Sequence, residues 1–238
     1  MNITPDIEMV DLALYIPKKS TIIFSDFHIG YEEVLNRQGI LVPHFQLGDT
    51  VERIKKILLK IKKLPETIII NGDLKHEFGS ITVQEWRETL RLIDFLLENC
   101  QKLVIVKGNH DVKLGPIARK RNIELVKNYV IDDLLITHGD EIEPETKKAK
   151  TIVIGHDHPA ISLRDSSRSE KFKCFLRGKY KGRVLIVQPS FNVLVEGADM
   201  LKGRALSPYL QQDLKNFDVF VVSEKEILPF GKMKNLRK

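Results

Sequence analysis

Six of the seven histidines in this 238-residue chain stand at the ends of short apolar runs or directly behind them. Leu103–Val106 is followed by Lys107-Gly108 and then Asn109, His110 and Asp111. Thr21–Ser25 leads into Asp26 and His28, and Thr67–Ile70 into Asn71-Gly72-Asp73, with His76 three residues on. Leu134–Thr137 leads into His138, and Thr151–Ile154 into His156 and His158. Polar groups just past a buried strand are badly placed for a core and well placed for a site. The set mixes imidazole, carboxylate and amide oxygen with no thiolate, which suits Mn²⁺, Fe²⁺ or Zn²⁺ better than Ca²⁺. Asp26 and His28, two apart on a segment read as extended, would face one ion. His156 and His158 share that spacing and would face different ions if the turn bends between them. Asp73, behind a glycine, would bring one carboxylate between two ions. Two ions roughly 3.5–4 Å apart polarise a phosphoryl group and yield a bridging hydroxide that attacks phosphorus in line with the leaving oxygen. No G-x-S-x-G elbow offers a protein nucleophile. The competing reading, structural histidines packed in a core, would not repeat the same chemistry at five strand ends.

Taken in order, D-x-H, G-D-x-x-H, G-N-H-D, a later H-G and G-H-x-H resemble the calcineurin-like metallophosphoesterases over residues 21–158. The resemblance implies a two-sheet β-sandwich flanked by helices. It also implies two divalent ions, most simply Mn²⁺, with Fe²⁺, Zn²⁺ or Ni²⁺ as substitutes. Asp26, His28, Asp73 and His158 would hold one ion, and Asp73, Asn109, His138 and His156 the other. His110 would stabilise the transition state or protonate the leaving group, and Asp111 would orient His110. Thr137 stands where many members have glycine. His76 matches a histidine that assists near the scissile phosphate in SbcD-like nucleases. The stretch from Phe172 to Ser190 and Leu206-Ser207-Pro208 are similar to small SbcD-related phosphoesterases of archaea, relatives of the bacterial ligase-associated endonuclease. No counterpart of the capping domain of the large repair nucleases is expected. The expected function is a phosphodiesterase or nuclease acting on nucleic acid, single strands included, or on nucleotides. The alternatives are a small-molecule phosphatase or cyclic-nucleotide phosphodiesterase, and a silent binding scaffold like the retromer subunit of this fold.

The elements that must position these residues follow from hydrophobic periodicity. An alternation of strands and helices to about residue 158, then mostly strands, predicts an α/β fold, α+β in parts, with two sheets face to face. Residues 10–16 read as one strand and 38–48 as a loop at the site mouth. A helix opens at Asp49-Thr50 with Val51, Ile54, Ile57, Leu58 and Ile61 inward. A second spans about 82–99, with Trp86, Leu90, Ile93 and Leu97 inward. Residues 171–187 read as a hairpin turning near Gly178–Gly182. Its six basic residues and Phe172, Phe175 and Tyr180 would either grip nucleic acid or leave lysines on a solvated face. Asn192, behind Pro189-Ser190-Phe191, would approach the site, and His44 would be a surface residue. One domain over residues 1–231 and a disordered basic tail at 232–238 are expected.

Hydrophobic residues make up 42% and charged residues 29%, ordinary for a globular domain. The net charge of +6 is uneven: residues 147–238 carry 19 basic and 9 acidic side chains, residues 1–146 carry 19 and 23. A basic carboxyl-terminal part beside an acidic metal-binding part suits a polyanionic substrate, though a Lys/Glu-rich solvated surface gives the same asymmetry. Two cysteines without metal spacing exclude a zinc ribbon and fit reduced thiols. No apolar run is long enough for a membrane span, and the amino terminus has no secretory pattern, so the expected location is the cytoplasm.

Overall fold

The computed structural model describes residues 1–79, 81–165 and 168–236. The β-branched runs that flank the polar blocks form the centres of two mixed sheets. The first contains β1 (Asn2–Thr4), β2 (Ile7–Val10), β3 (Ala13–Ile16), β4 (Thr21–Ser25), β5 (Thr67–Asn71), β6 (Lys102–Val106) and β7 (Glu124–Val126), in that spatial order. β1 to β4 run antiparallel, and β4 to β7 run parallel. Helices α1 (Tyr31–Arg37), α2 (Gln46–Lys60), α3 (Val83–Glu98) and α4 (Gly115–Lys120) make the crossovers between the parallel strands.

The second sheet contains β8 (Asn128–Ile131), β9 (Leu134–Thr137), β10 (Thr151–Ile154), β11 (Pro159–Asp165), β12 (Arg168–Tyr180), β13 (Arg183–Val187), β14 (Ala198–Asp199), β15 (Asp218–Val222) and β16 (Ile227–Lys232). Its main path is β14-β11-β12-β13-β10-β9-β8, and β15 joins β12 along Cys174–Arg177. One apolar core takes Ile23, Ile69 and Ile105 from the first sheet and Ile136, Val153, Phe175 and Ile186 from the second, so the sheets pack face to face. A smaller core around Leu176, Leu185 and Tyr209 fills the outer side of the second sheet. β9, β10 and β13 are parallel. The carboxyl ends of β4, β5 and β6 therefore meet those of β9 and β10 at one rim.

Four expectations need correction. Residues 10–16 are not one strand: Asp11, at φ 58°, breaks it into the β2–β3 hairpin and accepts from Leu12 N at 2.7 Å. The loop at 38–48 ends sooner, because buried Gln46 already belongs to α2 and donates to the His28 carbonyl at 2.8 Å. The α3 face turned inward is Glu85, Thr89, Leu92, Ile93 and Leu96, with Trp86, Leu90 and Leu97 on its half-buried flank. Glu85 takes an inward position because it has backbone donors to satisfy, the N–H groups of His76 and Glu77. The carboxyl-terminal segment does not fray from residue 232: Met233 is fully buried and its N–H donates to Phe217 O at 2.9 Å. Arg237 and Lys238 lie outside the described residues. No helix among the described residues is long and apolar enough to cross a membrane.

Candidate metal centre

Three of the five strand ends, those of β4, β5 and β10, do not continue as extended chain. Asp26, His28, Asp73, His156 and His158 all have left-handed backbones, with φ between 46° and 64°. Each such residue costs about 1–2 kcal/mol, with Asp, Asn and His among the types that tolerate it best. Cross-loop hydrogen bonds enforce the geometry: Asp26 N donates to Gly72 O at 3.2 Å and His28 N to Asp73 O at 2.9 Å. Asp26 and His28 therefore share a site through two left-handed turns, where an extended segment was expected.

Two mixed triads result, Asp26–His28–His158 and Asp73–His138–His156, and the donor atoms of each lie within 4.8 Å of one another. Asp73 Oδ2 lies 3.6 Å from His28 Nε2 and 3.4 Å from His138 Nε2, so one carboxylate oxygen faces both triads. Asn109 Oδ1 stands 3.0 Å from His138 Nε2, which brings the amide to the second triad. Asp26 Oδ1 is 3.4 Å from His158 Nε2 and 3.5 Å from His138 Nδ1. Burial acts to raise the Asp26 carboxyl, but His158, His138 and His28 hold it well below the ordinary carboxylate range. Burial, aided by His158, pushes His28 down to about 3. Burial also acts to lower His138, yet the hydrogen bond to Asp73 and the charge of Asp26 carry it up to about 9.

These residues fit divalent cations. His28 Nε2 and His158 Nε2 are 3.2 Å apart, and His138 Nε2 and His156 Nδ1 are 3.1 Å apart. Imidazole nitrogens that close set lone pair against lone pair unless a proton or a metal lies between them. The buried Nδ1 of His138 has no hydrogen-bond partner. Burial keeps His28 neutral, the form that ligates.

His110 lies at the mouth of this cluster. Its Nδ1 donates to the His76 carbonyl, so Nε2, 3.8 Å from Asp73 Oδ2, is the nitrogen free to exchange a proton with the site. The ring is packed between Phe78, at 3.6 Å between centroids, and His76, at 5.3 Å. His76 Nδ1 also meets His28 Nδ1 at 3.2 Å. Asp111 does not orient the His110 ring. Its buried carboxylate accepts from Leu74 N at 3.1 Å and Gly108 N at 3.0 Å, and so ties the β5 loop to the β6 loop. Burial, then the charge of Asp73, raises Asp111 to about 7. Gly108 does not have positive φ; it is glycine because an added Cβ would overlap the Asp73 carboxylate.

Several supporting residues escaped sequence reading. Lys75 is fully buried and its ammonium donates to the carbonyls of Glu77 and His110. Glu85 Oε1 accepts from His76 N and Glu77 N, each at 2.9 Å. Asp157, between the two histidines, accepts from Ser207 N at 3.0 Å and also from Leu206 N. The only signal for these was a charged residue inside or beside a motif; their partners are remote in sequence. Asn192 does reach the site, donating its N–H to Asp26 O at 3.2 Å, while Ser190 Oγ donates to the same carbonyl at 2.9 Å. His44 is exposed, as expected, and stands 3.1 Å from Glu32.

The basic hairpin starts beside the site, where Lys171 lines the cleft, and runs away from it. Thr151 pairs with Val184, so the turn joining β12 to β13 is at the rim opposite the metal centre. Phe175 and Tyr180 are buried and Phe172 packs against the second core, so none is free to stack a base.

A family model described as calcineurin-like phosphoesterase matches residues 20–187. The crystal structure of the nuclease MPE from Pseudomonas putida is similar, with TM-score 0.66 and 20% identity over 93% of this chain and 93% of that one. At that identity the likeness is one of fold. AQ665, a protein of unknown function from Aquifex aeolicus, gives TM-score 0.39 at 18% identity, over 58% of this chain and 78% of its own. A single mutant of Vps29 from Entamoeba histolytica gives TM-score 0.37 at 14% identity, over 89% of this chain and 99% of its own. No match was found among curated proteins.

Proposed function

This chain belongs to the calcineurin-like phosphoesterases, metal-dependent phosphoester hydrolases, and from that premise we propose that it is a dinuclear phosphodiesterase or nuclease acting on nucleic acid or nucleotides. The observation that carries this reading is Asp73 Oδ2 facing both Asp/His triads, with the free Nε2 of His110 beside it. Asp26, His28 and His158 would hold one ion, Asn109, His138 and His156 the other, and Asp73 both, with Mn²⁺ the best match to the donors. Bound there, such ions supply Lewis acidity that polarises phosphoryl oxygens and acidifies water. The chain's own contribution is orientation and proton handling. Left-handed turns fix the carboxylates, and the buried, neutral ring of His28 presents its lone pair. The His76 carbonyl holds a proton on His110 Nδ1, so a second proton, carried at Nε2 by the imidazolium form, is the one passed to the leaving oxygen, and the ring is left neutral with Nδ1–H. His76, in contact with both His28 and His110, fits a role beside the scissile phosphate. The Pseudomonas putida protein of similar fold is a nuclease, a precedent for this substrate class on such a fold.

A substrate panel tests the reading. Purified protein with Mn²⁺, Fe²⁺, Zn²⁺ or Mg²⁺ is offered bis(p-nitrophenyl) phosphate, p-nitrophenyl phosphate, a cyclic nucleotide and a single-stranded oligonucleotide. Diesters should dominate with Mn²⁺. Dominance of the monoester would favour the phosphatase alternative.

A further inference from the structure

The walls of the cleft above the metal centre differ sharply from its floor. The cleft has a volume of about 910 Å³ and is lined by histidines and Asp73 below. Phe78 stands at its edge, 56% exposed, with one face on the His110 ring at 32°. Tyr31 meets His76 edge-on at 4.7 Å. Leu194, Val195 and Leu206 also line the cleft, Leu206 being 72% exposed. Lys171 is the only lysine or arginine among the described lining residues, and it is shared with Glu196 at 3.6 Å.

A site for phosphomonoesters or polyphosphates gathers several cationic donors around the extra charge. Among its described lining residues this cleft offers one lysine and several aromatic and aliphatic side chains. A diester carries one charge and two organic substituents, which is what such walls accommodate. An exposed aromatic face beside the group that serves the leaving oxygen is a stacking surface for a flat ring.

We propose that Phe78 is a specificity-determining residue: it stacks the nucleobase on the leaving-group side of the scissile phosphodiester. The proposal rests on the phosphodiesterase reading above, since it is His110 that places the leaving group under Phe78. It also assigns Phe78 a second effect, shielding His110 from water.

The test compares two single-stranded oligonucleotides that differ only in having a base or an abasic residue on the leaving side of one cleavable linkage. Wild-type protein with Mn²⁺ should cleave the base-bearing linkage about tenfold faster in kcat/KM, the size expected of one stacking contact. Phe78→Ala should collapse that ratio towards one, and Phe78→Trp should keep it. Because the ratio is taken within each variant, turnover lost through looser packing of His110 cancels. An unchanged ratio in Phe78→Ala, or no preference in the wild type, overturns the stacking role while diester hydrolysis stands. Absence of any diester hydrolysis by the Mn²⁺-loaded wild type overturns the phosphodiesterase reading itself.

Discussion

At Gly108 the β6 loop passes so close to Asp73 that no side chain fits between them. Gly108→Ala should therefore displace the shared carboxylate, and a metal titration should find fewer tightly bound ions per chain than in the wild type. Asp111 acts through backbone instead of through His110. Asp111→Ala leaves the N–H groups of Leu74 and Gly108 without their acceptor, and unfolding measurements should show a loss of about 1–3 kcal/mol. His110→Ala should retain stability and lose about 10²–10⁴-fold in diester turnover, the usual range for a general acid. The types of these residues were legible in the sequence, because Asp, Asn and His repeated just past apolar runs contribute nothing to a core and converge as ligands do. The partner of Asp111 was not, since adjacency along the chain pointed to His110 while its carboxylate turns to a loop some 37 residues away.

The elements are legible where burial on both faces makes an apolar run, as in β4, β5, β6 and β10, and blurred where polar groups are buried. α3 shows why. Its periodicity pointed to Trp86, but Glu85 turns inward to hold the backbone of His76 and Glu77. Glu85→Ala should cost about 1–3 kcal/mol in chemical denaturation. β12 carries a second concealed polar group. Lys173 donates to Ser190 O at 2.6 Å and to Asn192 O, beneath the loop that supports Asp26. Burial, then Arg53, lowers its ammonium to about 7 from 10.5. Between those values the unfolded chain holds a proton that the folded one releases, so stability rises with pH; below about 7 both states are protonated and the burial penalty is felt in full. Wild-type urea midpoints should climb from pH 7 to about pH 9.5 relative to Lys173→Met, in which that rise is flattened.

Across the whole molecule, two sheets bring five loops to one rim, and the energy of the shared core holds them there. The alternation of strands and helices made this architecture readable, together with its mostly β carboxyl-terminal half. The basic bias of that half was readable as composition only. Strand register, which sequence does not print, puts the hairpin tip on the far rim and its aromatics inside. The rim gathers left-handed carboxylate and imidazole residues with unmatched nitrogens, so bound ions should stabilise the fold strongly. Mn²⁺ at about a hundred times its Kd adds about 2.7 kcal/mol, and chelation should lower Tm by several degrees, reversibly. The most direct test of the dinuclear, His110-assisted chemistry is hydrolysis of bis(p-nitrophenyl) phosphate by Mn²⁺-loaded wild type, Asp73→Asn and His110→Ala, each verified as folded. The predicted result is turnover by the wild type, weaker metal binding and loss of turnover in Asp73→Asn, and loss of turnover with metal retained in His110→Ala. Full activity in either variant would contradict it.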